Sequence, residues 1–228
     1  MKSDSPVFDV IVVAAGSGTR LGHSTPKAFV PLMGKPILSY SIETFLSHDR
    51  IGSVILVVPK SMYDFSVEEF RNDKIQVTIG GDQRWQSVQN GVARSNADYV
   101  LIHDAARPFV THPVIDKILE KISDFECVIT VTPEVDTIRM RDGEKAGLTV
   151  DRDKLLRVGT PQLFKRILLC QGLKEAEQSG LNPTDEALLM QNMGIAVGIA
   201  WGDPKNFKIT TPSDLEIAEA LIAKNHSM

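Results

Sequence analysis

The chain has 228 residues, enough for an α/β domain that buries about 70% of the surface its unfolded form exposes. Its 25 Lys and Arg stand against 29 Asp and Glu, a net charge of −4, so there is no basic excess to hold a nucleic-acid backbone and any positive potential must be local. No apolar run reaches the ~18 residues of a membrane span, and the start, MKSDSPVFDV, carries neither an apolar signal core nor an Arg-rich transit character. Cys127 and Cys170 lie far apart, outside any CxxC pattern, and read as free thiols of a reducing cytosol. A cytoplasmic protein without nucleic-acid or membrane partners is the expectation.

Apolar runs rich in β-branched residues alternate with segments of helical period. FDVIVVA, SVILVVP, KIQVTI, DYVLIHD and ECVITVT read as strands, with helices predicted near Pro36–Ser47, Ser61–Phe70, Arg84–Ser95 and His112–Ile122. This rhythm predicts a Rossmann-like, mostly parallel sheet with right-handed crossovers and helices on both faces. Ligands then bind beyond the carboxyl ends of the strands. The rhythm breaks from Pro133 to about Lys154. Residues Glu134–Arg141 alternate in period two, Asp142-Gly143 gives a turn, and Leu148–Arg152 can return as a partner strand. Such a hairpin is marginal alone and predicts either an arm packed on a second subunit or a solvent-exposed excursion. Beyond it, Pro161–Ala176 and Asp185–Asn192 read as helices, Ile195–Trp201 and Asn206–Ile209 as strands, and Ser213–Ala223 as a closing helix. Thr184 is the N-cap expected for the second of these, and Ser213 with Glu216 the capping box of the last. Residues 1–228 read as a single domain with an arm at about 133–154.

The first strand feeds into Ala14-Ala15-Gly16-Ser17-Gly18-Thr19, small residues whose backbone amides can approach phosphate oxygens closely, and the cations Arg20 and Lys27 follow. A dinucleotide fingerprint would place its third glycine at Leu21, whereas Gly22 comes one place late, and Pro36 and Ile37 sit where a ribose-binding acid would stand. A P-loop would need Gly-Lys before Ser or Thr, which is absent. G-x-G-T-R with a downstream Pro-Lys is instead the pattern of nucleotidyltransferases. Gly80-Gly81-Asp82 taken alone is a turn, but Arg84 and Ser87, three apart at a helix start, can face one cleft with it. In His103-Asp104-Ala105-Ala106-Arg107-Pro108, Asp104 at a strand end suits a Mg²⁺ ligand or a ribose partner. His103 suits packing better than proton abstraction. His23, His48, His112 and His226 are scattered without metal-ligand spacing.

Through AAGSGTR, PKA, GGDQRWQSV, HDAARPF, VDT, DR, GTPQLF, TDEA and FKITTPSDLEIAE, in that order from Val10 to Ala220, the chain resembles the 2-C-methyl-D-erythritol 4-phosphate cytidylyltransferases of the non-mevalonate isoprenoid pathway. Ala28 departs from the Gln usual after that family's Pro-Lys. The resemblance implies transfer of CMP from CTP to a sugar-alcohol phosphate, with Mg²⁺ or another divalent cation as cofactor, by a homodimer. It implies that Arg20, Lys27, Arg152 and Lys208 are catalytic, and that Ala14, Ala15, Gly16, Ser17, Gly18 and Thr19 cradle the triphosphate. Gly80, Gly81, Asp82 and Ser87 would form the cytosine pocket, with Arg84, Asp104 and Ala105 beside it and Asp104 on the metal. Arg107, Thr160 and Thr184 would meet the acceptor, while Thr137 and Arg152 would cross to the neighbouring subunit. A ribitol 5-phosphate cytidylyltransferase is the nearest alternative, though that group often carries HDSVRP where this chain has HDAARP. A nicotinamide-dependent reductase and a silent nucleotide-binding scaffold are more distant ones. The misplaced third glycine speaks against the reductase, and the intact Arg20, Lys27, Asp104 and Lys208 set against the scaffold.

Overall fold

The first strand, β1 (Phe8–Val13), shows why the sheet is covered on both sides. Phe8, Val10 and Val12 enter one apolar layer and Ile11, between them, enters the other; all four are fully buried. An unbroken apolar run is what a strand buried on both faces requires. The computed structural model describes residues 7–16 and 25–226. After β1 come a short ladder of β2 (Pro31–Leu32) with β3 (Lys35–Pro36), then α1 (Ile37–Leu46), β4 (Ile51–Val58), α2 (Tyr63–Glu69), β5 (Ile75–Ile79), α3 (Arg84–Val92), β6 (Tyr99–Asp104) and α4 (His112–Leu119). The chain continues through β7 (Cys127–Pro133), the arm strands β8 (Ile138–Asp142) and β9 (Lys145–Val150), β10 (Leu156–Lys165) and α5 (Arg166–Ser179). It closes with α6 (Ala187–Asn192), β11 (Val197–Trp201) and α7 (Pro212–His226).

The main sheet has seven strands in the order β11-β7-β10-β6-β1-β4-β5. All run the same way except β10, which is antiparallel to both β6 and β7. Leu38, Ile42 and Phe45 of α1 and Ile115, Ile118 and Leu119 of α4 fill the core on one face. Trp85, Val88 and Val92 of α3, Leu169 and Leu173 of α5 and Met190 of α6 fill it on the other. Ala218 and Ile222 of α7 pack with Leu32, Ile37 and Ile209 in a third cluster. From β1 the chain proceeds outward to β4 and β5, then returns to β6 on the other side of β1. That reversal opens a crevice beyond the strand ends, where ligands bind in such sheets.

Several sequence expectations are corrected. Pro161 does not start a helix. Leu156–Lys165 is a strand, and Pro161 lies where the register with β7 shifts between Val158 and Gln162, an irregularity at which a ladder tolerates a missing N–H. Helix α5 begins only at Arg166. Asn206–Ile209 forms no strand; it crosses the end of the sheet, held by Ile209 N–H donating to the Ala106 carbonyl at 2.9 Å. Helix α7 is capped by Thr211 and Asp214 rather than Ser213 and Glu216. Thr211 Oγ1 accepts from Asp214 N–H at 3.3 Å, and the Asp214 carboxylate accepts from the N–H groups of Thr210 and Thr211, each at 2.8 Å. Thr184 does not cap α6; Asp185 accepts from Leu188 N–H at 3.2 Å, and the helix opens at Ala187.

The hairpin exists, with shifted limits. β8 pairs antiparallel with β9 in a sheet of their own, Asp142 faces Lys145, and the turn is Gly143-Glu144 with Gly143 at φ +58°. Arg152 lies past β9 on a 3-10 turn. Leu148 is 82% exposed and Met140 61% exposed, so the arm leaves apolar side chains uncovered.

Candidate active site

Hydrogen bonds that continue the parallel ladder beyond the strand ends shape the site. Ala14 N–H donates to Val57 O at 2.8 Å, Ala105 N–H to Val13 O at 3.1 Å, and Gly80 N–H to Val58 O at 2.9 Å. These bonds bring the loops after β1, β5 and β6 side by side. Gly80 is required by contact, because a Cβ there would collide with the Ala15 Cβ and lie 2.7 Å from Ser87 Oγ. Gly81 N–H donates to Ser87 Oγ at 3.1 Å and so fixes the turn on α3.

A cleft of about 410 Å³ opens over these loops, lined by Ala14, Ala15 and Gly16, by Lys27, by Gly81, Asp82, Arg84 and Ser87, and by Asp104 and Lys208. A second cleft, of about 300 Å³, is lined by Arg107, Arg157, Thr160, Asn206, Lys208 and Asp214. Lys208 is the one described residue that lines both.

Asp104, at the end of β6, is the electrostatic hub. Its Oδ1 accepts from Arg84 Nε and Nη2 at 3.3 and 3.1 Å, and its Oδ2 from Lys208 Nζ at 2.7 Å. Burial alone would raise its pKa, but Arg84 and Lys208, with Arg107 behind them, hold it far below the ordinary carboxylate range. Arg84 in turn donates through Nη1 to Glu186 Oε1 at 2.6 Å. Glu186 is fully buried, and that burial raises its pKa despite the guanidinium beside it. Arg107 is anchored by backbone: Nη1 donates to Asn206 O at 3.0 Å and Nη2 to Val158 O at 3.5 Å. Asn206 Nδ2 donates to Thr160 O at 2.9 Å, tying the walls of the second cleft together.

His103 is a structural residue. Its Nε2 faces the Arg107 carbonyl at 3.0 Å, which can only accept, so that nitrogen carries the proton. Nδ1 then accepts from the Thr160 hydroxyl at 3.1 Å, whose oxygen itself accepts from Asp104 N–H at 3.1 Å. Burial lowers the ring's pKa to about 4, leaving it neutral at pH 7.

Of the residues singled out from sequence, Ala14, Ala15, Gly16, Lys27, Gly81, Asp82, Arg84, Ser87, Asp104 and Lys208 converge on the first cleft. Arg107 and Thr160 lie in the second. Gly80 and Ala105 sit behind the lining as backbone supports. Ala28, at the departure from the family pattern, is buried against the first cleft. Ser17, Gly18, Thr19 and Arg20 lie outside the described residues. Thr137, Arg152 and Thr184 line neither cleft; Arg152 Nη1 donates to Val135 O at 2.7 Å within the arm. Sequence reasoning missed Glu186, Arg157 and Asn206. Asn206 lies two places before Lys208, just ahead of the FKIT motif, and Glu186 lies inside TDEA, where the resemblance assigns a role to Thr184 but none to Glu186.

Among the described residues no three His, Cys, Asp or Glu side chains gather as a metal cluster. Asp104 Oδ1 already accepts twice from Arg84, whereas Oδ2 accepts once, from Lys208, so a divalent ion would be held through the remaining acceptor site of Oδ2. No helix among the described residues is long and apolar enough to cross a membrane.

A doubly covered, mostly parallel sheet, a small-residue loop at its reversal and one lysine where two clefts meet together form the frame of a nucleotidyltransferase. The sequence model of the family described as 2-C-methyl-D-erythritol 4-phosphate cytidylyltransferase matches residues 8–224, and the chain belongs to that family. A relative of that name from Bacteroides thetaiotaomicron is 38% identical over 220 residues, covering 93% of this chain and 98% of its own length. The crystal structure of 4-diphosphocytidyl-2C-methyl-D-erythritol synthase from Anaerococcus prevotii superposes with a TM-score of 0.85 at 26% identity, covering 96% of this chain and 97% of that one. The 2-C-methyl-D-erythritol 4-phosphate cytidylyltransferase of Thermus thermophilus gives a TM-score of 0.80 at 30% identity, covering 93% and 98%.

Proposed function

We propose that this chain transfers CMP from CTP to 2-C-methyl-D-erythritol 4-phosphate, giving 4-diphosphocytidyl-2-C-methyl-D-erythritol and pyrophosphate, a step of isoprenoid precursor synthesis in the cytoplasm. The observation that carries this reading is Lys208, the cation common to both clefts. CTP occupies the first, its cytosine against Gly81, Asp82 and Ser87 and its phosphates along Ala14–Gly16 and Lys27. The acceptor phosphate enters the second, between Arg107 and Lys208. An oxygen of that phosphate attacks the α-phosphorus of CTP in line; the bond to the β-phosphate breaks, and pyrophosphate leaves with the electron pair. The nucleophile is already anionic, so no base is needed, and catalysis consists of holding two anions together and neutralising the charge that grows between them. Lys27, Lys208 and, on its motif alone, Arg20 supply that charge. Mg²⁺ anchored on Asp104 and the phosphates would offset further negative charge when bound.

The arm supports a homodimer in which it crosses to the partner, delivering Thr137 and Arg152 to the other acceptor cleft. Both residues lie outside the clefts of their own chain, and the uncovered Met140 and Leu148 would be buried at a two-fold interface.

Pyrophosphate release in the presence of Mg²⁺ tests the assignment. Turnover should be fast with CTP and 2-C-methyl-D-erythritol 4-phosphate and slow when UTP replaces CTP, because a pocket built for the amino edge leaves buried polar groups unpaired. Faster turnover with ribitol 5-phosphate, or equal turnover with UTP, would overturn it.

A further inference from the structure

We infer that Glu186 is a positioning residue for the reaction: by holding one nitrogen of Arg84 it confines that guanidinium to a single oxygen of Asp104 and so reserves the other oxygen for Lys208. The inference rests on the reading of Lys208 as the cation shared by the two substrates. Glu186, Arg84, Asp104 and Lys208 form an alternating row of charges, drawn from the turn before α6, the first residue of α3, the end of β6 and the segment after β11. Arg84 stands where a helix disfavours a cation, since the N-terminal end already carries partial positive charge. It is held there by two carboxylates, one on each side.

Stability does not call for such an arrangement. Glu186 is fully buried, and its Oε2 has no hydrogen-bond partner among the described residues. Replacing buried ion pairs by well-packed apolar side chains is often neutral or stabilising, so burial of this pair is no mark of a stabilising role. What the pair does is geometric. The planar fork of Arg84 can grip both oxygens of a carboxylate. With Nη1 tied to Glu186 at 2.6 Å, only Nε and Nη2 remain, and both reach Oδ1. Oδ2 is left for Lys208 Nζ at 2.7 Å. Without Glu186, Arg84 takes both oxygens and Lys208 loses its register between the clefts.

The test is the rate of CMP transfer per CTP-binding site, with sites counted by titration so that misfolded protein is discounted. Glu186→Leu should lower kcat about 30-fold while the KM for CTP moves less than about 3-fold, the pattern of a displaced group rather than a lost substrate contact. Glu186→Gln keeps an oxygen for Arg84 Nη1 and should recover to within about 5-fold of the wild type. In an Arg84→Met background, adding Glu186→Leu should change kcat by less than about 2-fold, because no guanidinium remains to be confined. The double variant leaves neither the guanidinium nor the Glu186 carboxylate unpaired, and because Arg84→Met alone strands that carboxylate, both are compared per CTP-binding site, which decides the matter even if Glu186→Leu alone does not fold. A full loss persisting in the Arg84→Met background would overturn the inference, as would a fall in CTP-binding sites that accounts for the whole rate loss. If the wild type transferred no CMP, the proposed function would fail instead. The positioning claim would then be read from the Lys208 ammonium resonance, protected from solvent exchange by Asp104 Oδ2 in the wild type and unprotected in Glu186→Leu; protection in both would refute it.

Discussion

Replacing His103 by Gln removes a proton-binding ring from the interior while keeping one donor and one acceptor. The fold holds this ring neutral, with Nε2–H donating to Arg107 O at 3.0 Å and Nδ1 accepting from Thr160 at 3.1 Å, in a fully buried position. Protonating Nδ1 would put two donors face to face and a charge out of water. The ring titrates near 6.5 when the chain is unfolded and near 4 when it is folded. The unfolded chain therefore binds more protons between these values, and stability falls as pH falls through that window. The gap between 6.5 and about 4 corresponds to about 3 kcal/mol in all, of which about 2 kcal/mol is lost between pH 7 and pH 5. In a protein of this size that is a fall in Tm of about 4–8 °C. Thermal and urea unfolding at pH 7 and pH 5 measure it, with His103→Gln less stable at pH 7 but with a pH dependence shallower by about 2 kcal/mol. An equal decline in wild type and His103→Gln would refute the neutral, doubly bonded histidine and leave His103 open as a proton carrier.

The cations give a second set of outcomes. Lys27→Ala and Lys208→Met should each lower kcat by at least about 10²-fold, the usual scale for one lost transition-state contact; near-normal turnover in a folded variant would remove that residue from the mechanism. For the arm, mixing inactive Lys27→Ala protein with inactive Arg152→Ala protein should restore part of the activity, because one site of each mixed dimer draws both residues from unmutated positions. Verified mixed dimers that stay inactive, or a monomer in sedimentation, would contradict the shared site.

Much of the nucleotide cleft was legible because strand ends announce themselves. The runs that end at Ala14, Gly80 and Asp104 each stop at a small or polar residue, which places all three at one edge of a parallel sheet from sequence alone. The failures share a cause in tertiary context. Pro161 followed by Gln, Leu and Phe reads as a helix start until β6 and β7 flank it and the register shift absorbs the proline. Asn206–Ile209 has the alternation of a strand but passes over the sheet end, where only Ile209 finds a ladder-like bond. Glu186 was invisible in role because its meaning depends on Arg84, 102 positions away. Thr137 and Arg152 were found only through the family motifs, and a single chain gives them no cleft to line.

The central claim is that an acceptor phosphate oxygen attacks the α-phosphorus of CTP directly between the two clefts. Incubating the protein with CTP, Mg²⁺ and 2-C-methyl-D-erythritol 4-phosphate carrying ¹⁸O in its phosphate, and weighing both products by mass spectrometry, tests it most directly. The account predicts that all the label stays in the cytidine diphosphate product, with one labelled oxygen as the new bridge, and that the pyrophosphate released is unlabelled. Label in the pyrophosphate, or no labelled diphosphate product at all, would contradict it.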